Sequence, residues 1–189
     1  RPCSDRCRVL FCRIDDMDMN LKQHLMEKKP VILKKWFDAV ADSYAEDTAG
    51  FLKKQKAQFT NPVGYTLAEG LEGLFDALLQ GMIPDTVKTF LDGIIRIRAI
   101  QDFTPSEAVT FIFQLKRVVR QELGAEILQQ PGLTEGLVSF DSAIDDLALF
   151  SFDIYMKCRE KIYELKANEA RNMTFRLLQQ AKLIVDNQD

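Results

Sequence analysis

The stretch LVSFDSAIDDLALFSFDIYMKCREKIYELKANEARNMTFRLLQQAKLIVDNQD, residues 137–189, contains neither proline nor glycine over 53 positions. Without a helix breaker it reads as one helix, about 80 Å long at about 1.5 Å rise per residue. A globule built from the remaining residues measures only about 30–40 Å across. The helix is therefore expected to outrun its own core, and its apolar surface needs a partner along its length.

Two apolar stripes run along this helix. One, Ile144, Leu147, Ala148, Tyr155, Cys158, Ile162 and Leu165, fits packing on its own domain and stops near residue 165. The other keeps a heptad. Leu149, Met156, Tyr163, Ala170, Leu177 and Ile184 recur every seven residues, with Phe152 and Met173 on intervening d positions. Arg159, Lys166 and Gln180 interrupt those d positions. Six successive apolar a positions argue for a helix–helix seam, and the polar d residues weaken it or set its register. The expected assembly is a homodimer through Leu149, Phe152, Met156, Tyr163, Ala170, Met173, Leu177 and Ile184.

Upstream, most prolines stand where helices begin. Pro30, Pro62, Pro84 and Pro105 each suit a first helical turn, where a missing N–H is no loss. In Thr104-Pro105-Ser106-Glu107 the threonine caps the free N–H groups and Glu107 completes a capping box. Gly81 and Gly124 sit where C-terminal caps belong, and Gln129-Gln130-Pro131-Gly132 is a turn. Helices are expected over about 20–29, 30–44, 46–57, 61–80, 84–102, 104–123 and 134–187, with no strand, since no segment sustains period-two alternation. Helix 30–44 turns Ile32, Leu33, Trp36, Phe37, Val40 and Tyr44 inward. Helix 61–80 carries a Leu67, Leu71, Leu74, Phe75, Leu78 stripe and a small-residue face of Gly70, Gly73 and Ala77 for a close helix neighbour. Helix 104–123 is apolar over more than one stripe and should be central. Residues 1–19 read as a disordered or extraneous segment, with Met17 or Met19 as a truer start; 20–168 read as the domain, and 169–189 as the extension of the last helix.

Composition narrows the function. The chain is 47% hydrophobic with a net charge of −3, which argues against nucleic-acid binding. The clusters Lys53, Lys54, Lys56 and Lys116, Arg117, Arg120 read as solvated helix faces. No apolar run reaches transmembrane length and residues 1–20 lack the apolar run of a signal peptide, so the expectation is a cytoplasmic protein with no membrane partner. Cys3, Cys7 and Cys12 have the spacing C-x3-C-x4-C, which fits no common zinc or iron–sulfur pattern, and no histidine follows to complete a site; no metal is expected. The single histidine, His24, lies in the first short helix, away from a haem-lining position, so haem ligation is not expected and no cofactor is assigned. Walker A, G-x-S-x-G and G-x-G-x-x-G sequences are absent and the usual base is nearly so; no catalytic residue is assigned and no enzyme is expected.

One polar feature stands out. On a helical wheel Val87, Phe90, Leu91, Ile94 and Ile97 centre the stripe of helix 84–102; Arg98 and Gln101 fall inside it and Arg96 opposite. A buried guanidinium needs a carboxylate, helix carbonyls or an anionic ligand, with Asp102, Asp153 and Glu160 as candidate acids. The buried hydroxyl of Tyr155 needs a partner too. Arg98, Gln101 and Tyr155 are the candidates for lining a small polar pocket; a structural ion pair is the alternative.

The segments Arg96-Ile-Arg-Ala-Ile-Gln-Asp-Phe-Thr-Pro-Ser106, Asn61-Pro-Val-Gly64 and Phe152-Asp-Ile-Tyr-Met-Lys-Cys-Arg-Glu-Lys-Ile-Tyr-Glu-Leu165 resemble the RsbRD N-terminal domain family over roughly residues 20 to 168. These are the sensor halves of RsbR-type stressosome proteins, the co-antagonists of the RsbT kinase. The resemblance implies a globin-like, haem-free helical fold that dimerises and projects its last helix toward an output domain. Full-length members continue into a phosphorylated STAS domain that these 189 residues do not include. Antagonism of a kinase through STAS phosphorylation is therefore not carried over, and the chain is either stand-alone or a fragment. The expectation is a non-enzymatic sensor with a signalling protein partner, relaying a ligand- or partner-induced change through its last helix. The alternative is a small-molecule carrier with its ligand in the helical core.

Overall fold

The computed structural model describes residues 19–54, 59–80, 84–101, 103–130 and 132–181. All regular structure among them is helical: α1 Met19–Glu27, α2 Lys29–Ala41, α3 Glu46–Lys54, α4 Pro62–Gln80, α5 Pro84–Ile100, α6 Pro105–Gln129 and α7 Gly132–Gln180. The N-terminal segment 1–18, with Cys3, Cys7 and Cys12, lies outside the described residues, as do Lys56, Gly81, Asp102 and Ile184.

The fold is all-α, with a long C-terminal helix. The most extensive packing is of α7 on α6 and of α5 on α4, with α2 against α6 and α5 against α7. The α4–α5 pair is close because Gly70 and Gly73 have no side chains. A Cβ at Gly70 would lie 2.9 Å from two Ile94 side-chain atoms, and one at Gly73 would lie 2.3 Å from the Phe90 ring. Ala77, the third small residue, is buried as well. Helix α6 is the central element expected: Phe111, Ile112, Leu115, Val119 and Leu123 are fully buried. Trp36 of α2 donates its indole N–H to Phe111 O at 2.6 Å and stacks on the Phe111 ring at 6.5 Å.

Helix starts follow the local chemistry. Thr104 has extended backbone angles and closes the expected capping box, its amide donating to Glu107 Oε2 at 2.9 Å. Asn61 starts α4: its Oδ1 accepts the Gly64 N–H at 2.8 Å, while its Nδ2 donates to Leu52 O at 3.2 Å and so ties α4 to α3. Asn61 is fully buried, and a Cβ on Gly64 would fall 2.2 Å from that Nδ2. The Asn61-Pro-Val-Gly64 pattern is thus a cap whose glycine makes room for the asparagine side chain. Gly64→Ala is expected to displace Asn61 and lower unfolding free energy by about 1–3 kcal/mol, the range for a lost cap and an unsatisfied buried amide. Urea titration of the variant measures this, and an unchanged midpoint would contradict it.

Several boundaries differ from the sequence reading. Helix α6 does not stop at Gly124 but runs to Gln129. An interior glycine costs only about 1 kcal/mol against alanine, and the turns around Gly124 are anchored. Lys28 Nζ donates to Glu122 O and to Glu126 Oε1, each at 2.5 Å, and Ile127 packs on the core. Helix α2 ends at Ala41, with Ser43 and Tyr44 in the turn beyond it, and α5 ends at Ile100, leaving Gln101 in a turn. Helix α7 starts at Gly132, two residues earlier than expected, after Gln130 breaks the α6 geometry with an extended backbone. No helix among the described residues is long and apolar enough to cross a membrane.

Candidate functional site

Two features of the last helix meet here: its anchorage to the end of α5 and the face it leaves uncovered. The first is built around Arg98, in the last turn of α5 and fully buried. Its Nη1 donates to Glu107 O at 2.9 Å and its Nη2 to Ser43 Oγ at 2.8 Å. The guanidinium carbon lies 5.3 Å from the Tyr44 ring centroid, 4.8 Å from Phe103 and 5.3 Å from Phe111. Cation–π attraction from three rings offsets part of the desolvation penalty. Burial pulls the Arg98 guanidinium below its ordinary value, opposed by Tyr44, and pushes the Tyr44 phenol up, opposed by Arg98. Arg98 Nε and Tyr44 Oη are buried with no hydrogen-bond partner among the described residues.

The wheel placed Arg98 inside, and it is inside; the partners differ from those expected. No carboxylate side chain among the described residues bonds it. Asp153 and Glu160 are exposed on α7, and Asp102 lies outside the described residues. A backbone carbonyl, a serine hydroxyl and aromatic faces take the place of an acid. Gln101 is exposed and is not brought to Arg98: its N–H still bonds Ile97 O at 3.1 Å, but it stands past the end of α5 at Ile100. Arg96 is exposed and pairs with Asp92 at 2.9 Å.

Tyr155 is buried and donates its hydroxyl to Phe103 O. Phe103 is thus shared: its ring covers Arg98 and its carbonyl holds α7. One turn on, Arg159 donates to Ala99 O at 3.0 Å and to Tyr163 Oη at 2.8 Å, with its guanidinium 4.9 Å from the Tyr163 ring centroid. Arg159 occupies a heptad d position, and the Ala99 carbonyl at the end of α5 explains why a cation stands there. The same α7 segment that carries the heptad is therefore bonded at two successive turns, to the link after α5 and to the end of α5 itself.

Below this anchorage α7 leaves its domain. Ile154 and Tyr155 are its last buried residues; Cys158 and Ile162 are half-buried. Leu165, expected to pack inward, is 57% exposed because the globule ends before it. From Tyr163 to Leu177 every residue is exposed. On the heptad face Leu149 is 62% exposed, Tyr163 57%, Met173 59% and Leu177 63%, with Phe152 and Met156 also uncovered and Ala170 exposed. Val138, two heptads before the d residue Phe152, is exposed as well, and Phe175 is an exposed large apolar residue outside the a and d positions.

The residues that surround Arg98 were not legible as a set. Ser43, Tyr44, Phe103, Glu107 and Phe111 come from three separate segments; Tyr44 was read as an inward residue of helix 30–44, Glu107 as part of a capping box and Phe111 as part of an apolar central helix, none of them as a partner of Arg98. His24 lies half-buried on α1. The two lysine–arginine clusters are partly engaged: Lys53 pairs with Asp42 at 2.6 Å, Lys116 with Asp145 at 2.6 Å and Arg120 with Asp141. No group of three His, Cys, Asp or Glu side chains suited to a metal occurs among the described residues.

Comparison with known proteins gives three findings. A protein of Archaeoglobus fulgidus described as uncharacterized is 28% identical over 107 residues, covering 54% of this chain and 66% of that protein, so the match spans just under two thirds of the relative's length. No solved structure matches the chain. The model of one family, described as the RsbT co-antagonist protein RsbRD N-terminal domain, matches residues 30–170. That match takes in the Asn61 cap, the Arg98 cage and the Tyr155 and Arg159 anchors, and the chain belongs to the RsbRD N-terminal domain family.

Proposed function

We propose that this chain is a dimeric sensor module in which two last helices pair along the heptad face and carry a change in the globule outward. The family is one of stressosome-type signalling domains in general; the dimer and the relay are our reading. One observation carries it: an apolar stripe from Leu149 to Leu177 stays uncovered on a helix that has left its own core. Apolar surface of this extent marks an interaction site, and the heptad spacing selects another helix as the partner. A second copy presents the same stripe. A globin-like, haem-free core fits the resemblance, and a soluble cytoplasmic setting with a signalling protein partner fits the family.

The relay has a physical route. Displacing α2 or α6 moves Ser43, Tyr44, Glu107 or Phe111, all in contact with Arg98, and Phe103 passes the shift to Tyr155. A signal then requires differential binding to two arrangements of α7. Tyr155→Phe, which removes the hydroxyl that bonds Phe103 O, is expected to raise amide exchange at Phe103 and Thr104 and, together with it, along α7 beyond residue 155. Hydrogen–deuterium exchange measures both. A rise confined to the α5–α6 loop would contradict the relay.

The carrier reading, with a ligand against Arg98, Gln101 and Tyr155, is less well supported. Arg98 and Tyr155 already hold backbone partners, Arg98 is covered by rings, and Gln101 is exposed.

A further inference from the structure

On the side of the molecule formed by α2, α3 and α4 a cleft of about 550 Å³ opens between the helices. Its volume lies within the range of small-molecule sites, about 300–1,000 Å³. Leu33, Phe37, Leu52 and Leu71 line it with apolar surface, and Leu52 and Leu71 are buried beneath it. Ala68, exposed on α4, keeps that wall low.

The polar groups on the lining are not equivalent. Lys53 is tied to Asp42, outside the cleft, at 2.6 Å, and Asp38 lies in its field. Glu72 is tied to Lys29, also outside the cleft, at 3.2 Å. The exposed Lys34 ammonium and the half-buried Tyr65 hydroxyl are left without a side-chain partner among the described residues. Both are hydrogen-bond donors, so what completes the cleft is an acceptor, and beside a lysine an anionic one.

We infer that this cleft binds a small amphipathic anion, its apolar body on Leu33, Phe37, Leu52 and Leu71 and its carboxylate- or sulfonate-type head at Lys34 and Tyr65. The lining comes wholly from α2, α3 and α4 and includes no residue of α7, so the site stands whether or not the last helices pair.

The test uses the full chain and two probes, anilinonaphthalene sulfonate as the fluorescent anion and decanoate as its competitor. The expected result is saturable fluorescence at one site per chain, displaced by decanoate and not by decyltrimethylammonium. Lys34→Glu is expected to raise the probe's Kd about tenfold, the scale of one charge-assisted contact. Ala68→Trp, at an exposed position on the cleft wall, should abolish binding; both variants should retain the wild-type melting temperature. Absent saturation, equal displacement by the cationic amphiphile, or an unchanged Kd in both variants would each overturn the assignment.

Discussion

Arg98→Ala is expected to lower the unfolding free energy by about 3–5 kcal/mol, the range for truncating a large buried side chain and orphaning its partners. The substitution empties the space between Tyr44, Phe103 and Phe111 and removes the donors to Glu107 O and Ser43 Oγ. Arg98→Met separates volume from charge. It refills the space and deletes a buried cation that no carboxylate among the described residues bonds, so none of them is left bare. Volume-matched apolar replacement of a buried ion ranges from neutral to stabilising. The two lost hydrogen bonds offset part of that gain, about 0.5–1.5 kcal/mol each. The methionine variant should therefore stay within about 2 kcal/mol of wild type. Guanidinium titrations of the three proteins, compared at equal slope, measure both values. An alanine variant within about 1 kcal/mol of wild type would mean that the cage is not a structural keystone.

The second large effect concerns association. Leu149→Asp combined with Leu177→Asp is expected to weaken dimerisation by more than about a thousandfold. Each dimer loses four leucines from its seam, at about 1.5–3 kcal/mol per fully buried side chain, and gains like charges that face each other. Thermal stability of the globule should change little, since Leu149 is 62% and Leu177 63% exposed in the single chain. Lys157→Asp, an exposed position one step off the heptad face, serves as the charge control and should leave the dimer intact. Sedimentation velocity distinguishes the three. A double variant that still sediments as a dimer places the interface elsewhere.

Much of the fold was readable because its signals are local. Thr104 to Glu107 spell a capping box within four residues, and the missing side chains of Gly70 and Gly73 mark where a helix comes close. The burial of Arg98 also followed from local periodicity, since wheel position depends only on its own helix. Its partners did not, because Ser43, Phe103 and Phe111 become neighbours only when α2, α5 and α6 pack. Gln101 was misplaced for a related reason: a wheel gives the direction of a position and not whether a neighbour covers it, and Gln101, past the end of α5, is exposed. Gly124 misled in the opposite direction. A glycine ends a helix only when nothing beyond holds the next turn, and Lys28, far away in sequence, holds it through Glu126 Oε1. Arg159 looked like a defect in the heptad, and its use became clear only with the Ala99 carbonyl beside it.

Sedimentation equilibrium of the unaltered chain bears most directly on the account, because everything said of the relay requires two last helices side by side. A mass of about twice 21.7 kDa at micromolar concentration is the expected result. A single mass of 21.7 kDa across the accessible concentration range would contradict it.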